Sequence, residues 1–179
     1  EHIEDIIITD GYVGGQAVLE YFRGLLLTLK GTSSEAMSVS VKWDGAPAVV
    51  CGTNPDNGQF FVGTKSVFAQ AAKINYTKKD IARNHGTDEL GQKLLKCLVH
   101  LKKLNIQGVV QGDLLYTDED ITRKNIDGKP HLTFTPNTIT YAVPEGSKLS
   151  KQIDEAKVGI IFHTTYVGDT LAGMNAQGG

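Results

Sequence analysis

The chain has 179 residues, 40% of them hydrophobic and 21% charged, with 18 Lys and Arg against 20 Asp and Glu and a formal charge of −2. That length suits one domain with a real core, and the composition excludes global disorder. The slightly acidic balance argues against a protein that coats nucleic acid nonspecifically, while leaving room for a local basic groove.

Residues 1–10 are acidic and then apolar, which fits a short strand or the start of a helix, and Asp10-Gly11 and Gly14-Gly15 break the run. From Gln16 to Lys30 the positions Val18, Tyr21, Phe22, Leu25 and Leu29 follow helical spacing. The run Gly31-Thr32-Ser33-Ser34 closes that helix as a polar loop. Ser38 to Trp43 alternates strictly. Val39, Val41 and Trp43 are expected on a buried face, with Lys42 and Asp44 on the face reachable from solvent. Gly45-Ala46-Pro47 bends the chain and Ala48 to Cys51 resumes a strand. Asn54 to Gly58 is a turn, and Gln59 to Thr64 returns as the second arm of a hairpin. The polar stretch 69–88, with Lys73, Lys78, Lys79, Arg83 and His85, reads as a loop holding at most a helical turn. Asp88 to Leu104 is the second clear helix, with Leu90, Leu94, Cys97, Leu98, Leu101 and Leu104 as its buried stripe and Thr87 or Asp88 as its N-cap. Val109 to Leu115 is a strand whose Gly112 signals a close backbone approach. His131 to Phe134 and Thr138 to Val143 are further strands, Leu149 to Lys157 is a short helix, and Val158 to His163 is expected to be a central strand. Hairpins mixed with helices make the fold class α+β, mostly antiparallel sheets flanked by helices. No apolar stretch approaches the ~18 residues of a membrane span. Cys51 and Cys97 sit in apolar runs as buried thiols, with no CxxC or Cys/His cluster for zinc.

Three strings carry candidate chemistry. In Lys42-Trp43-Asp44-Gly45, period two puts Lys42 and Asp44 on one sheet face. A lysine followed by a glycine turn can present an amine to a phosphate, and the same letters also make a surface ion pair on a strand. Gln111-Gly112-Asp113 sets a carboxylate after a glycine in an apolar strand. Phe61 to Ser66 puts a second cation, Lys65, just past the hairpin. Elsewhere Glu4 and Asp5 are either purine contacts or a solvated acidic start, and Lys73 to Arg83 is either a nucleic-acid backbone contact or a solvated loop.

In this order the strings resemble the covalent nucleotidyltransferase superfamily of ATP-dependent DNA and RNA ligases and mRNA capping enzymes. Lys42, Asp44 and Gly45 match its Lys-x-Asp-Gly motif, and Lys65 stands where a basic residue follows a hairpin. Gly112-Asp113 matches an apolar strand ending in Gly-Glu, with aspartate for glutamate. Ile139 to Val143 is similar to a further apolar strand bearing an aromatic residue. Order and spacing fit across residues 38–165. The phrases Lys42 to Ala48, Gln111 to Leu114 and Phe162 to Tyr166 are also similar to an uncharacterised protein family of tailed marine bacteriophages, along nearly the whole chain. The pattern departs at the fourth motif, where Val158 replaces a metal-binding glutamate and His163 replaces a lysine. The fifth motif, Lys-x-Lys, is absent before Gly179.

The resemblance implies one nucleotidyltransferase-like domain over residues 1–179 with the ligase adenylation-domain (ATP-grasp-like) architecture. The start at Glu1 and the end at Gly178-Gly179 read as a domain lacking its C-terminal part. ATP and Mg2+ are the implied cofactors, DNA or RNA is the implied acceptor, no membrane is involved, and the compartment is a cytoplasm, that of the host if the source is a phage. Lys42 is the implied nucleophile, attacking the α-phosphorus to form a phosphoramide, with Asp44 beside it holding a ribose hydroxyl or a metal-bound water. Trp43, Gly45, Lys65, Asp113 and His163 are the implied nucleotide contacts, and Asp113 the metal ligand. A free lysine amine, with a pKa of about 10.4, is about one part in a thousand neutral at pH 7.4. Burial, Lys65 and the metal must therefore favour the neutral form. Lys42, Asp44, Lys65, Asp113 and His163 are expected to converge on one cleft. The alternative is a catalytically inactive nucleotide- or nucleic-acid-binding phage protein on the same fold. A third reading is a structural or host-interaction protein whose motif matches are accidental.

Overall fold

The computed structural model describes residues 3–30 and 43–178. The chain divides into two compact units, residues 1–42 and 43–179. In the first, α1 (Ile3–Leu29) runs for 27 residues and departs from helical geometry at Gly11, with φ 57° and ψ −129°. Positive φ carries no Cβ penalty at glycine, and the expected break at Asp10-Gly11 is a kink at which two helical segments meet. Gly15, expected to interrupt the chain as well, stays within that helix. The expected polar loop 31–34 and the alternating strand, apart from Trp43, lie outside the described residues.

The second unit is α+β, with antiparallel pairing throughout. Its strands are β1 (Ala48–Thr53), β2 (Phe60–Gly63), β3 (Val109–Thr117), β4 (Thr122–Ile126), β5 (Lys129–Phe134), β6 (Tyr141–Pro144), β7 (Val158–Val167) and β8 (Asn175–Gly178). Its helices are α2 (Lys78–His85), α3 (Glu89–Leu101) and α4 (Lys148–Glu155). One sheet has the order β2-β1-β3-β7-β8 and the other β4-β5-β6. The strand expected to be central, β7, is internal, between β3 and β8.

Local chemistry corrects two expectations and adds a strand. The polar stretch expected to be a loop contains α2, because Thr77 and Asp80 form a reciprocal cap. The Asp80 N–H donates to Thr77 Oγ1 at 3.2 Å, and the Thr77 N–H donates to the Asp80 carboxylate at 2.9 Å. Buried Asn75 ties the approach to α2 onto β2 by donating from Nδ2 to the Val62 carbonyl at 2.9 Å. Strand β4 is exposed along its whole length and shows no apolar alternation. Its signal is the Asp127-Gly128 turn, with φ 51° and 77°, which pairs Ile126 with Lys129. Leu104 is 62% exposed rather than part of the stripe. The α-helix stops at Leu101, Lys102–Leu104 tighten into a 3-10 turn, and left-handed Asn105 ends it.

The large sheet is apolar on both faces. On one, Val49, Cys51, Val62 and Leu114 pack with Ile81 of α2 and Leu94, Cys97, Leu98 and Leu101 of α3. On the other, Val50, Phe61 and Val109 pack with Val67 and Leu171. Further along, Leu115 and Tyr116 pack with Leu132 and Phe134 of the small sheet and Ile153 of α4. A register shift between Leu114 and Tyr116 turns consecutive residues inward. The Tyr116 ring lies over Gly159, where a Cβ would meet Cε1 at 2.1 Å.

Candidate functional site

Between the two apolar clusters on that second face, β3 presents Gln111 and Asp113, which share a side by the period of two. Asp113 pairs with Ala48 on β1 and Ile161 on β7; Gln111 pairs with Val50 and Thr164. The β3–β7 register shifts between Gln111 and Gly112, leaving His163 as an extra residue on β7. Such a bulge re-aims a side chain, and here His163 Nε2 stands 3.4 Å from Asp113 Oδ1. The other imidazole nitrogen, Nδ1, is 2.9 Å from Thr164 Oγ1. Both side chains reach solvent, at 28% exposure for Asp113 and 40% for His163. Gln111 is buried, and its Oε1 accepts from the Tyr166 hydroxyl at 2.7 Å.

The Asp44-Gly45 turn meets this row from the β1 side. The Ala46 N–H donates to the Leu114 carbonyl at 2.9 Å, and the Leu114 N–H to the Pro47 carbonyl at 3.0 Å. Gly45 thereby lies against Asp113 with no space for a side chain. Asp44 faces a different partner. Its carboxylate accepts from Asn137 Nδ2 and the Thr138 N–H, both at 3.0 Å, and from the Ile139 N–H at 3.3 Å. Its own N–H donates to the Tyr141 hydroxyl at 2.8 Å. Asp44 thus holds the β5–β6 loop, a structural task that the letters Lys-x-Asp-Gly do not announce.

Trp43 is not a buried strand residue. It is 40% exposed and in no strand, because it precedes the Gly45–Pro47 bend rather than continuing β1. Its indole leans on Tyr141 with ring centroids 5.2 Å apart, and Tyr141 stacks on Phe134 at 5.4 Å. These rings, with Leu149, Ile153 and Ile161, line an apolar hollow of about 490 Å3. Ile161 is also the β7 partner of Asp113, so hollow and polar row adjoin.

The remaining expectations divide. Lys65 opens a 3-10 turn just past β2, exposed, at the edge of the sheet and two strands from Asp113. Neighbouring strands are about 4.8 Å apart, so its backbone is roughly 10 Å across the sheet from Asp113. Lys42 lies outside the described residues. The structure brings together Gly45, Asp113 and His163, and joins Trp43 and Asp44 to the small sheet. Gln111, Thr164 and Tyr166 are members of the row that sequence reasoning left without roles. The bulge at His163, which orders them, has no sequence signal.

Among the described residues no group of three His, Cys, Asp or Glu side chains gathers, and no helix is long and apolar enough to cross a membrane. The fold and the polar row define an α+β protein of two antiparallel sheets with a candidate ligand-binding face. The chain belongs to DUF6267, a family of unknown function, whose model matches residues 1–179. No curated protein and no solved structure matches it.

Proposed function

We propose that this chain binds a nucleoside triphosphate on the Gln111–Asp113–His163 face and transfers its nucleotidyl group to Lys42, in the manner of the ATP-dependent ligases. The observation that carries the reading is the meeting of two motifs far apart in sequence. The Asp44-Gly45 turn packs on the Gly112-Asp113 strand, with His163 in contact with Asp113. In this reaction the neutral Lys42 amine forms a P–N bond to the α-phosphorus as the P–O bond to pyrophosphate breaks. The amine proton is lost to solvent or a neighbouring base.

A Mg2+ ion fits the donor set in one way. Magnesium keeps several waters and takes one or two carboxylates plus phosphate oxygens, so Asp113 would be the residue that holds it, with the triphosphate and water completing its shell. The ion would neutralise phosphate charge and assist pyrophosphate departure. Asp44 acts here by fixing the β5–β6 loop rather than by touching the nucleotide.

Val158 favours a second reading, an inactive nucleotide binder on the same fold. It is a half-buried apolar residue paired with Thr117, and it offers no carboxylate where the superfamily has one. Intact mass after incubation with ATP and Mg2+ separates the two. A gain of one nucleoside monophosphate, lost in Lys42→Ala and Lys42→Arg while ATP still binds, supports the transferase. Arginine fails because guanidinium stays protonated. ATP binding with no mass gain supports the inactive binder, and absence of both overturns the two readings together.

A further inference from the structure

Gln111 is only 5% exposed, and its two amide ends are treated differently. Oε1 accepts from the Tyr166 hydroxyl at 2.7 Å. Nε2 donates to no described residue, yet it is not sealed from solvent. Among the described residues, the side-chain nitrogen fully enclosed without a partner is instead His85 Nε2. A primary amide nitrogen carries two donors, and accessible donors are satisfied by water or by a ligand. Tyr166 takes the oxygen end. Its ring packs against Phe68 at a centroid distance of 4.4 Å, and with its hydroxyl donating to Oε1 the amide nitrogen is left for another acceptor. Gln111 is two residues from Asp113 on one face of β3, and its β7 partner Thr164 adjoins the bulged His163.

We propose that Gln111 Nε2 is a ligand contact that donates to a phosphoryl oxygen of the bound triphosphate, and that Tyr166 is the positioning residue that orients it. This rests on the nucleotide-binding reading above. The chemistry favours a phosphoryl oxygen because such oxygens only accept. Ribose hydroxyls also donate, and the neighbouring Asp113 carboxylate would take that proton. A neutral amide also adds attraction for phosphate without competing for the cation that Asp113 would hold.

Calorimetric titration of the full chain with ATP and with inorganic tripolyphosphate, both with Mg2+, tests this. Gln111→Met keeps the shape and removes the donors together with the acceptor of the Tyr166 hydroxyl. It is expected to weaken both ligands about tenfold while lowering the melting temperature no more than Tyr166→Phe does. Tyr166→Phe leaves the amide free to turn and is expected to weaken both about threefold. In the Gln111→Met background Tyr166→Phe should have no further effect, a non-additivity that a merely structural tyrosine would not produce. Unchanged ATP affinity in Gln111→Met overturns the contact and leaves nucleotide binding standing. If that variant does not fold, unchanged affinity in Tyr166→Phe overturns it instead. A loss for ATP with none for tripolyphosphate overturns the phosphoryl assignment. No binding of either ligand by the unmodified chain overturns this inference together with the reading it rests on.

Discussion

Gly45 and Asp113 touch where the turn before β1 crosses β3. A Cβ on Gly45 would stand 2.6 Å from the Asp113 Cβ and 3.0 Å from the Leu114 carbonyl oxygen. Both obstacles belong to a central strand, so neither can swing away as a flexible side-chain end would. The glycine of the Lys-x-Asp-Gly string is therefore required for space.

Gly45→Ala should destabilise the protein by about 1–3 kcal/mol, the range for forcing an extra methyl into a packed region. It should also displace Asp113 from His163. Urea denaturation checks the first effect, and the shift of the His163 ring resonances in NMR checks the second. A variant as stable as the unmodified chain, with unmoved resonances, contradicts the contact.

Asp44→Ala removes a carboxylate that accepts from Asn137 Nδ2 and from the Thr138 and Ile139 N–H groups. Hydrogen bonds to a charged group are worth about 1.5–3 kcal/mol, reduced here because the loop is exposed. A loss of about 1–2 kcal/mol is expected. Hydrogen exchange should speed up at Thr138 and Ile139 and not in α3. Unchanged exchange in the loop would show that Asp44 does not hold it.

The acid limb of stability should have two parts. Asp118 accepts from Lys157 at 2.8 Å and also from Lys96, and these bonds lower its pKa from 3.8 to about 2. A folded pKa below the unfolded one contributes stability that is complete above pH ~4 and is lost as pH falls toward 2. The pairs are partly exposed, so the contribution should stay under about 1 kcal/mol. Asp118→Asn should shrink that window, leaving the part due to Asp80, whose pKa is lowered first by the hydrogen bond from Thr77. His85 acts earlier. Burial, and then the charge of Lys73, lowers its pKa below 6.5. The unfolded chain therefore takes up the proton first, and stability declines as pH drops from about 6.5. His85→Gln should reduce that slope, leaving the part due to His100, whose pKa is also lowered chiefly by burial, and the lower window intact. Urea midpoints measured across both ranges check the pair.

Cys51 and Cys97 are fully buried in one cluster, and burial pushes both thiols up to about 12. The thiolate is the reactive form. Iodoacetamide at about pH 8 should label neither cysteine in the native protein and both in denaturing urea. Mass spectrometry counts the adducts, and rapid native labelling of Cys97 would mean that α3 opens readily.

Much of the fold could be read from the chain because local signals were unopposed. The α3 stripe, the Asn54–Gly58 turn and the apolar runs of β1, β3 and β7 each repeat a periodicity that burial then rewards. The Thr77–Asp80 cap and the Asp127-Gly128 turn were also present as short signals. They were outweighed by the polarity around them, and α2 and β4 were missed. For the candidate site the letters marked Asp113 and His163 and assigned no role to Gln111 or Tyr166. Their spacing could not show that a bulge opposite Gln111 brings the imidazole to the carboxylate.

Periodicity, turn chemistry and residue identity are local properties of the chain, and from them came the α+β class, the glycine at position 45 and the carboxylate at 113. The rest came from contacts formed on folding. Folding set Gly45 against Asp113, turned Asp44 toward the β5–β6 loop, left Trp43 partly in solvent, and brought the Tyr166 hydroxyl to Gln111. Each of these is a contact between residues at least 55 positions apart, or the exposure left when such contacts form. Strand register fixes such contacts, and register comes from the packing of both sheet faces together.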